Sequence, residues 1–165
     1  AMTRPAWLPE IVSTNGEWEV VVRLLYNIFV KDFKANTCDF HELPVHWDTR
    51  ILPDTPYEEG FWHLITRESR QEDERLLDPR RAERLPWCGP TIRNSPDDDI
   101  TVWEYRGPKN HVRSYLWLEE WHYVVVLEKR KRAGGTRYFL ITAFHVDGES
   151  TRRSLRQKYS RREGA

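Results

Sequence analysis

Between residues 100 and 146 the chain repeats β-branched and aromatic runs separated by turns, with no stretch long enough for a crossover helix, and this constrains the fold more than any other feature. Residues 100–105 read as one strand, 114–130 as one or two more, and 137–146 as the next. Ala133-Gly134-Gly135-Thr136 reads as a hairpin turn, so neighbouring strands pair antiparallel. Tyr138-Phe139-Leu140-Ile141-Thr142-Ala143-Phe144 is apolar on both parities, which predicts a central strand covered on both faces.

Upstream the periodicity changes. After Asn15-Gly16, the residues Trp18, Val21, Val22, Leu25, Phe29 and Phe33 recur at helical spacing, predicting an amphipathic helix over 17–35. Glu19, Arg23, Asn27, Lys31 and Lys34 form its solvated face. Residues 39–52 read as extended, with Pro44 marking an edge strand or bulge, and Pro53-Asp54-Thr55-Pro56 turning the chain. Phe61 to Arg67 reads as a second strand, followed by a polar stretch over 68–77. Asp78-Pro79 supplies an N-cap acceptor and a proline at the first helical position. The helix it starts is expected to end at Pro86, with Cys88-Gly89-Pro90 and Asn94-Ser95-Pro96 as further breakers and Asp97-Asp98-Asp99 as an acidic loop. Ser150 to Arg162 reads as a basic helix, the only strongly one-signed segment. This order predicts a single α+β domain over 1–165: an antiparallel sheet, an N-terminal amphipathic helix, a short arginine-rich helix and a basic C-terminal helix. Residues 1–14 are expected to be flexible and 160–165 frayed.

With 26 basic and 26 acidic residues the chain is formally neutral, so any polyanion binding must come from local patches. Eight Trp, seven Tyr and six Phe can build a dense core or stack on bases. Cys38 and Cys88 show no metal-ligand spacing and are too few for a disulfide framework; they read as reduced thiols. No apolar run approaches a membrane span and no secretory pattern opens the chain, so a soluble cytoplasmic protein without membrane partners is expected. Ala1 before Met2 reads as a tag remnant.

Glycine-rich phosphate loops, a Gly-x-Ser-x-Gly elbow and tight metal-ligand spacings are absent from the sequence, which disfavours nucleotide hydrolysis, serine-hydrolase chemistry and a metal site. No cofactor is expected. What the chain does carry is a histidine, His63, shortly before the arginines Arg80, Arg81 and Arg84. A histidine can move a proton near neutral pH, and guanidiniums bind phosphate bidentately. Metal-free RNA cleavage needs an acid–base group and cations around the phosphorane. His63 is the candidate acid or base, Arg81 and Arg84 the transition-state cations, and Thr142 a positioning hydroxyl. His41 is the preferred second histidine, if its segment pairs with that of His63. His46 and His145 are the alternatives, while His111 and His122 read as surface residues. The basic helix offers Arg152, Arg153, Arg156 and Lys158 as sequence-blind phosphate contacts.

Gly60-Phe61-Trp62-His63, Arg81-x-x-Arg84-x-Pro86-Trp87, Tyr115-Leu116-Trp117-Leu118 and Tyr138-Phe139-Leu140-Ile141-Thr142-Ala143 resemble the phage-associated branch of the barnase/EndoU/colicin/RelE-like nuclease superfamily, over roughly residues 39–159. The resemblance implies a small α+β fold with an open sheet face and a metal-independent ribonuclease, often a toxin in phage or toxin–antitoxin settings. It implies an antitoxin or immunity partner and an active-site role for His63, Arg81, Arg84 and Thr142. Arg67, Arg80 and Trp87 are expected to contact RNA, as cations for phosphate and a ring for bases. The alternative reading is a non-catalytic nucleic-acid- or protein-binding module of the same fold.

Overall fold

A computed structural model describes residues 3–71 and 73–165; Ala1 and Met2, and with them the tag reading, lie outside the described residues. The leading helix α1 (Trp18–Phe29) continues into a π-helical turn, Val30–Lys34. Its periodic residues Val21, Val22, Leu25, Phe29 and Phe33 are buried, whereas Trp18 stays 41 % exposed, its ring meeting Trp62 edge-on. Val20 and Leu24 are also exposed, so the outer face is less polar than its charges imply.

The extended segment over 39–52 is a hairpin rather than one strand. β1 (Asp39–Phe40) and β2 (Leu43–His46) pair antiparallel around His41 and Glu42. Both turn residues have positive φ, +50° and +66°, the geometry that lets a two-residue loop follow the twist of its strands.

The expected strand over 61–67 is corrected to a short helix, α2 (Glu59–Trp62), capped by His63. Phe61, Leu64 and Ile65 are wholly buried at i, i+3 and i+4, a helical spacing hidden within residues of high strand propensity. Only β3 (Thr66–Arg67) is extended, and it pairs with β4 (Leu76–Leu77) as a separate two-stranded ribbon.

Helix α3 (Pro79–Glu83) begins as its sequence dictates: the Asp78 carboxylate accepts from the N–H groups of Arg80 and Arg81 at 3.0 and 3.2 Å. Pro86, expected to end it, instead sits in the first turn of α4 (Leu85–Arg93), where no N–H is required. Cys88, Gly89 and Pro90, expected as breakers, lie inside α4. Gly89 is needed there because a Cβ would come within 2.9 Å of Asp32, so only glycine lets α4 lie against the π-helical turn. The segment before α1, expected to be flexible, has no regular element but is packed: Leu8 is buried, Trp87 Nε1 donates to the Pro9 carbonyl at 2.7 Å, and Val12 N–H to that of Glu83 at 2.9 Å.

The remaining chain is the predicted meander: β5 (Thr101–Arg106), β6 (Val112–Leu118), β7 (Tyr123–Arg132) and β8 (Gly135–His145), all antiparallel neighbours. β2 joins the free side of β8 in parallel, giving the order β1-β2-β8-β7-β6-β5. The fold is α+β with a mostly antiparallel sheet. One face, with Leu116, Leu118, Val125, Leu127, Leu140 and Ala143, packs against α1 and α4. The other carries a smaller core of Trp103, Tyr115, Trp117, Val124 and Val126, closed by Leu155 of α5 (Gly148–Ser160). The C-terminal residues expected to fray are held by the Glu163 N–H on the Glu104 carbonyl and by Arg106 on the Glu163 carboxylate at 2.6 Å. No helix among the described residues is long and apolar enough to cross a membrane.

β8 is central, but one of its faces is only partly covered. Its pairing with β7 slips: Val126 faces Thr142, yet Leu127 faces Leu140, leaving Ile141 as a bulge. Phe139 and Thr142, three residues apart, would point to opposite faces of a regular strand. The bulge sets both on the face of Val126 and Glu128, away from α1 and α4.

Candidate active site

A cavity of about 490 Å³ opens where that bulged strand meets α2, the β3–β4 ribbon and α3. His63, Arg67, Glu68, Arg75, Arg81, Ile141, Thr142 and Phe144 line it. Four residues singled out from sequence, His63, Arg67, Arg81 and Thr142, therefore share one site although they span 80 positions.

Each is delivered by local structure. The turn of α2 places the His63 ring at the rim, with 38 % of its side chain exposed and Nε2 3.7 Å from the Glu59 carboxylate one turn back. Arg81 projects from α3 and is clamped: Nη1 donates to the carbonyls of Thr66 at 2.6 Å and His63 at 3.3 Å, and lies 3.5 Å from Thr142 Oγ1. Its carbon Cζ stands 5.4 Å from the centre of the Phe144 ring, and Asp78 approaches Nε at 3.5 Å. Arg75 is held by Thr66, Nε donating to Oγ1 at 2.9 Å and Nη2 to the carbonyl at 2.8 Å. Arg67 is exposed and has no side-chain partner among the described residues.

Three guanidiniums thus converge where the one lining carboxylate, Glu68, is 90 % exposed and only 3.9 Å from Arg75 at its nearest. The lining therefore carries more cations than carboxylates, a balance that favours an anion, with Asp78 and Glu59 close beside Arg81 and His63. Burial, and then the positive charge of Arg75, lower the His63 pKa from its ordinary 6.5, against the opposing pull of Glu59 and Asp48. At neutral pH the ring is neutral and able to accept a proton. Among the described residues no three His, Cys, Asp or Glu side chains converge as a metal-ligand set would.

Other predicted residues lie elsewhere. His41 occupies the β1–β2 turn, stacks on Phe40 and hydrogen-bonds the Tyr138 hydroxyl through Nδ1 at 3.2 Å; the expected pairing of its strand with the His63 segment does not form, because β2 pairs with β8. Arg84 folds back on its own helix, donating to the Arg80 carbonyl at 3.1 Å and packing over Trp87. Trp87, expected to contact RNA, is a core residue, 4 % exposed. Arg80 is exposed on α3, outside the cavity lining. His145 faces the opposite side of β8 from Thr142, as their parity requires. On α5, Arg152 bonds His122 Nδ1 and pairs with Glu149 at 3.5 Å, and Arg156 pairs with Glu119 at 3.2 Å. Lys158 donates to Ser154 at 2.9 Å, leaving Arg153 without a side-chain partner among the described residues.

Arg75 was missed in the sequence. It sits in the stretch read as a polar loop, and its one local signal is the Leu76-Leu77 pair that lets the chain fold back on Thr66 and Arg67. Neither family models nor curated proteins nor solved structures match this chain.

Proposed function

We propose that the cavity is the active site of an endoribonuclease that needs no metal ion. The observation that carries this reading is a neutral histidine set beside three guanidiniums and a hydroxyl in one open cavity. His63 takes the proton of a ribose 2′-hydroxyl, and the oxygen attacks the adjacent phosphorus. Arg67, Arg75 and Arg81 surround the charge that gathers on the phosphorane oxygens, and Thr142 orients one of them. The bond from phosphorus to the 5′-oxygen breaks, and solvent entering the cavity supplies that oxygen's proton. The products are a 2′,3′-cyclic phosphate end and a 5′-hydroxyl end.

The preorganised part is Arg81. Because carbonyls hold its Nη1, the guanidinium is fixed before substrate arrives, and Nη2 makes no hydrogen bond within the described residues. A resemblance to phage-associated nucleases agrees with this chemistry and makes an antitoxin or immunity protein the natural partner, in the cytoplasm where RNA is met.

Incubating the purified protein with total RNA in excess EDTA and analysing fragment ends tests the proposal. Cyclic or 3′-phosphate ends are expected. Cleavage that appears only on adding a divalent metal would overturn the mechanism, and no cleavage of any RNA would leave the cavity as an anion-binding site of a non-catalytic module.

A further inference from the structure

The basic C-terminal helix is not the only one-signed segment. Lys129, Arg130, Lys131, Arg132 and Arg137 lie on the two arms of the β7–β8 hairpin, with no acidic residue between Glu128 and Asp147. The β-register sorts them. Phe139 pairs with Glu128 and Arg137 with Arg130, so these four share the face that Thr142 occupies beyond the bulge. His46 of β2 pairs with Phe139 on the other side. A second cavity, of about 180 Å³, opens there between His46, Arg130, Arg132, Arg137 and Phe139.

Glu128 explains how this patch is built. It is 6 % exposed, and its carboxylate accepts from Arg130 Nε at 2.9 Å, with His111 Nδ1 at 3.4 Å and Arg113 Nε at 3.6 Å. Burial raises its pKa, but the hydrogen bonds from Arg130 and His111 outweigh that and hold it below the ordinary carboxylate value. The anchored Arg130 guanidinium lies over the Phe139 ring, 3.9 Å from its centre. Arg132 and Arg137, by contrast, are exposed and have no side-chain partner among the described residues. One fixed planar cation stacked on an aromatic ring is thus flanked by two unspent charges.

We propose that this patch is a binding track for single-stranded RNA, leading along β8 from the candidate active site to the β7–β8 hairpin. The proposal rests on the ribonuclease reading for its polarity and on the hairpin geometry for its existence. Thr142 and Arg137 are separated by about 15 Å along the strand, given roughly 3.3 Å per residue and one bulged position. That separation lies beyond a dinucleotide and within reach of a longer strand. A guanidinium plane accepts an unstacked base, which a single strand presents and a duplex hides. Arg132 and Arg137 then take the flanking phosphates.

The test is fluorescence anisotropy with a 2′-O-methyl oligoribonucleotide, which cannot be cut by 2′-hydroxyl attack, titrated over a range of salt. Each neutralised phosphate of a single strand carries a log–log salt slope of about 0.7, so R132Q/R137Q is expected to flatten the slope by about 1.4 and weaken binding about 25-fold near 0.1 M salt. Unchanged thermal stability of that variant, whose two replaced side chains make no hydrogen bond or ion pair among the described residues, shows that the loss is not unfolding. An unchanged slope would overturn the track, as would equal wild-type affinity for a duplex of the same sequence. The two readings separate: a flattened slope without RNA cleavage keeps the track and removes the nuclease, and cleavage with an unchanged slope does the reverse.

Discussion

His63 carries the sharpest consequences at the scale of single residues. It is half-exposed, and its one ionic contact among the described residues is the 3.7 Å approach to Glu59, so the fold depends on it little. His63→Gln is expected to reduce RNA cleavage by about two to four orders of magnitude, the usual scale for a lost general base, with a stability change at neutral pH of about 0.5 kcal/mol or less. Cleavage kinetics beside chemical denaturation check this, and a variant that still cleaves at the native rate would remove His63 from the mechanism. The pKa direction adds a pH signature. Burial and Arg75 lower the folded-state pKa, so the unfolded chain binds the proton more readily below pH 6.5. Stability is therefore full above that value and falls as pH drops through the folded-state pKa. His145 adds the same sign, through burial and then Arg84 and Arg80. Denaturation followed as pH falls below 6.5 should show a shallower acid loss in His63→Gln than in the native protein. On the proposed mechanism, cleavage by the native protein should rise with pH to a plateau whose midpoint lies below 6.5.

Among the elements, α2 is the one on which the site depends, and Gly60 holds it in place. A Cβ at Gly60 would come within 2.9 Å of Trp47 Cβ and 3.1 Å of the Asp48 backbone nitrogen, neither of which can give way as a flexible side-chain tip would. Gly89 in α4 meets Asp32 in the same manner but stands outside the cavity lining. Alanine gains up to about 1 kcal/mol of helix propensity at either position, while overpacking costs about 1–3 kcal/mol. Gly60→Ala and Gly89→Ala should each lose about 1–2 kcal/mol by denaturation. Only Gly60→Ala should also slow cleavage, because moving α2 moves His63 relative to Arg81. Equal loss of activity in both variants would mean that stability, not the placement of α2, controls the site.

At the scale of the whole molecule, two cores share one sheet. Helices α1 and α4 share the larger core with one face, whereas α5 covers only the β5–β6–β7 part of the other and leaves the β8 side open for the cavity and the hairpin patch. Leu155 is the buried residue of α5, 3 % exposed, and Tyr159 meets Trp103 edge-on at 5.5 Å. Leu155→Ala should cost about 2–5 kcal/mol, the range for truncating a buried leucine. A loss well under 1 kcal/mol in thermal or denaturant unfolding would show that the second core holds without α5. The cations of α5 are largely engaged with Glu119, Glu149, His122 and Ser154, so this helix serves the fold more directly than its charge alone implies.

The antiparallel meander, the buried stripe of α1 and the Asp78 cap were legible in the sequence because alternation, helical spacing and capping chemistry are local properties of the chain. Naming His63, Arg67, Arg81 and Thr142 was possible on residue type, since few side chains can move protons or bind phosphate. Which histidine would meet which arginine was not legible. That was decided by the parallel docking of β2 on β8, which carries His41 away, and by the bulge at Ile141, which turns Thr142 toward Arg81. Arg75 entered the site by bonding to Thr66 through a fold-back of the chain, and Trp87 left it by bonding to Pro9 from a distant segment; Arg84 left it by donating to the Arg80 carbonyl and lying over Trp87. The helix at His63 was similarly hidden: Phe61 and Trp62 favour strands by propensity, and burial of Phe61, Leu64 and Ile65 in the common core overrides that weak local preference.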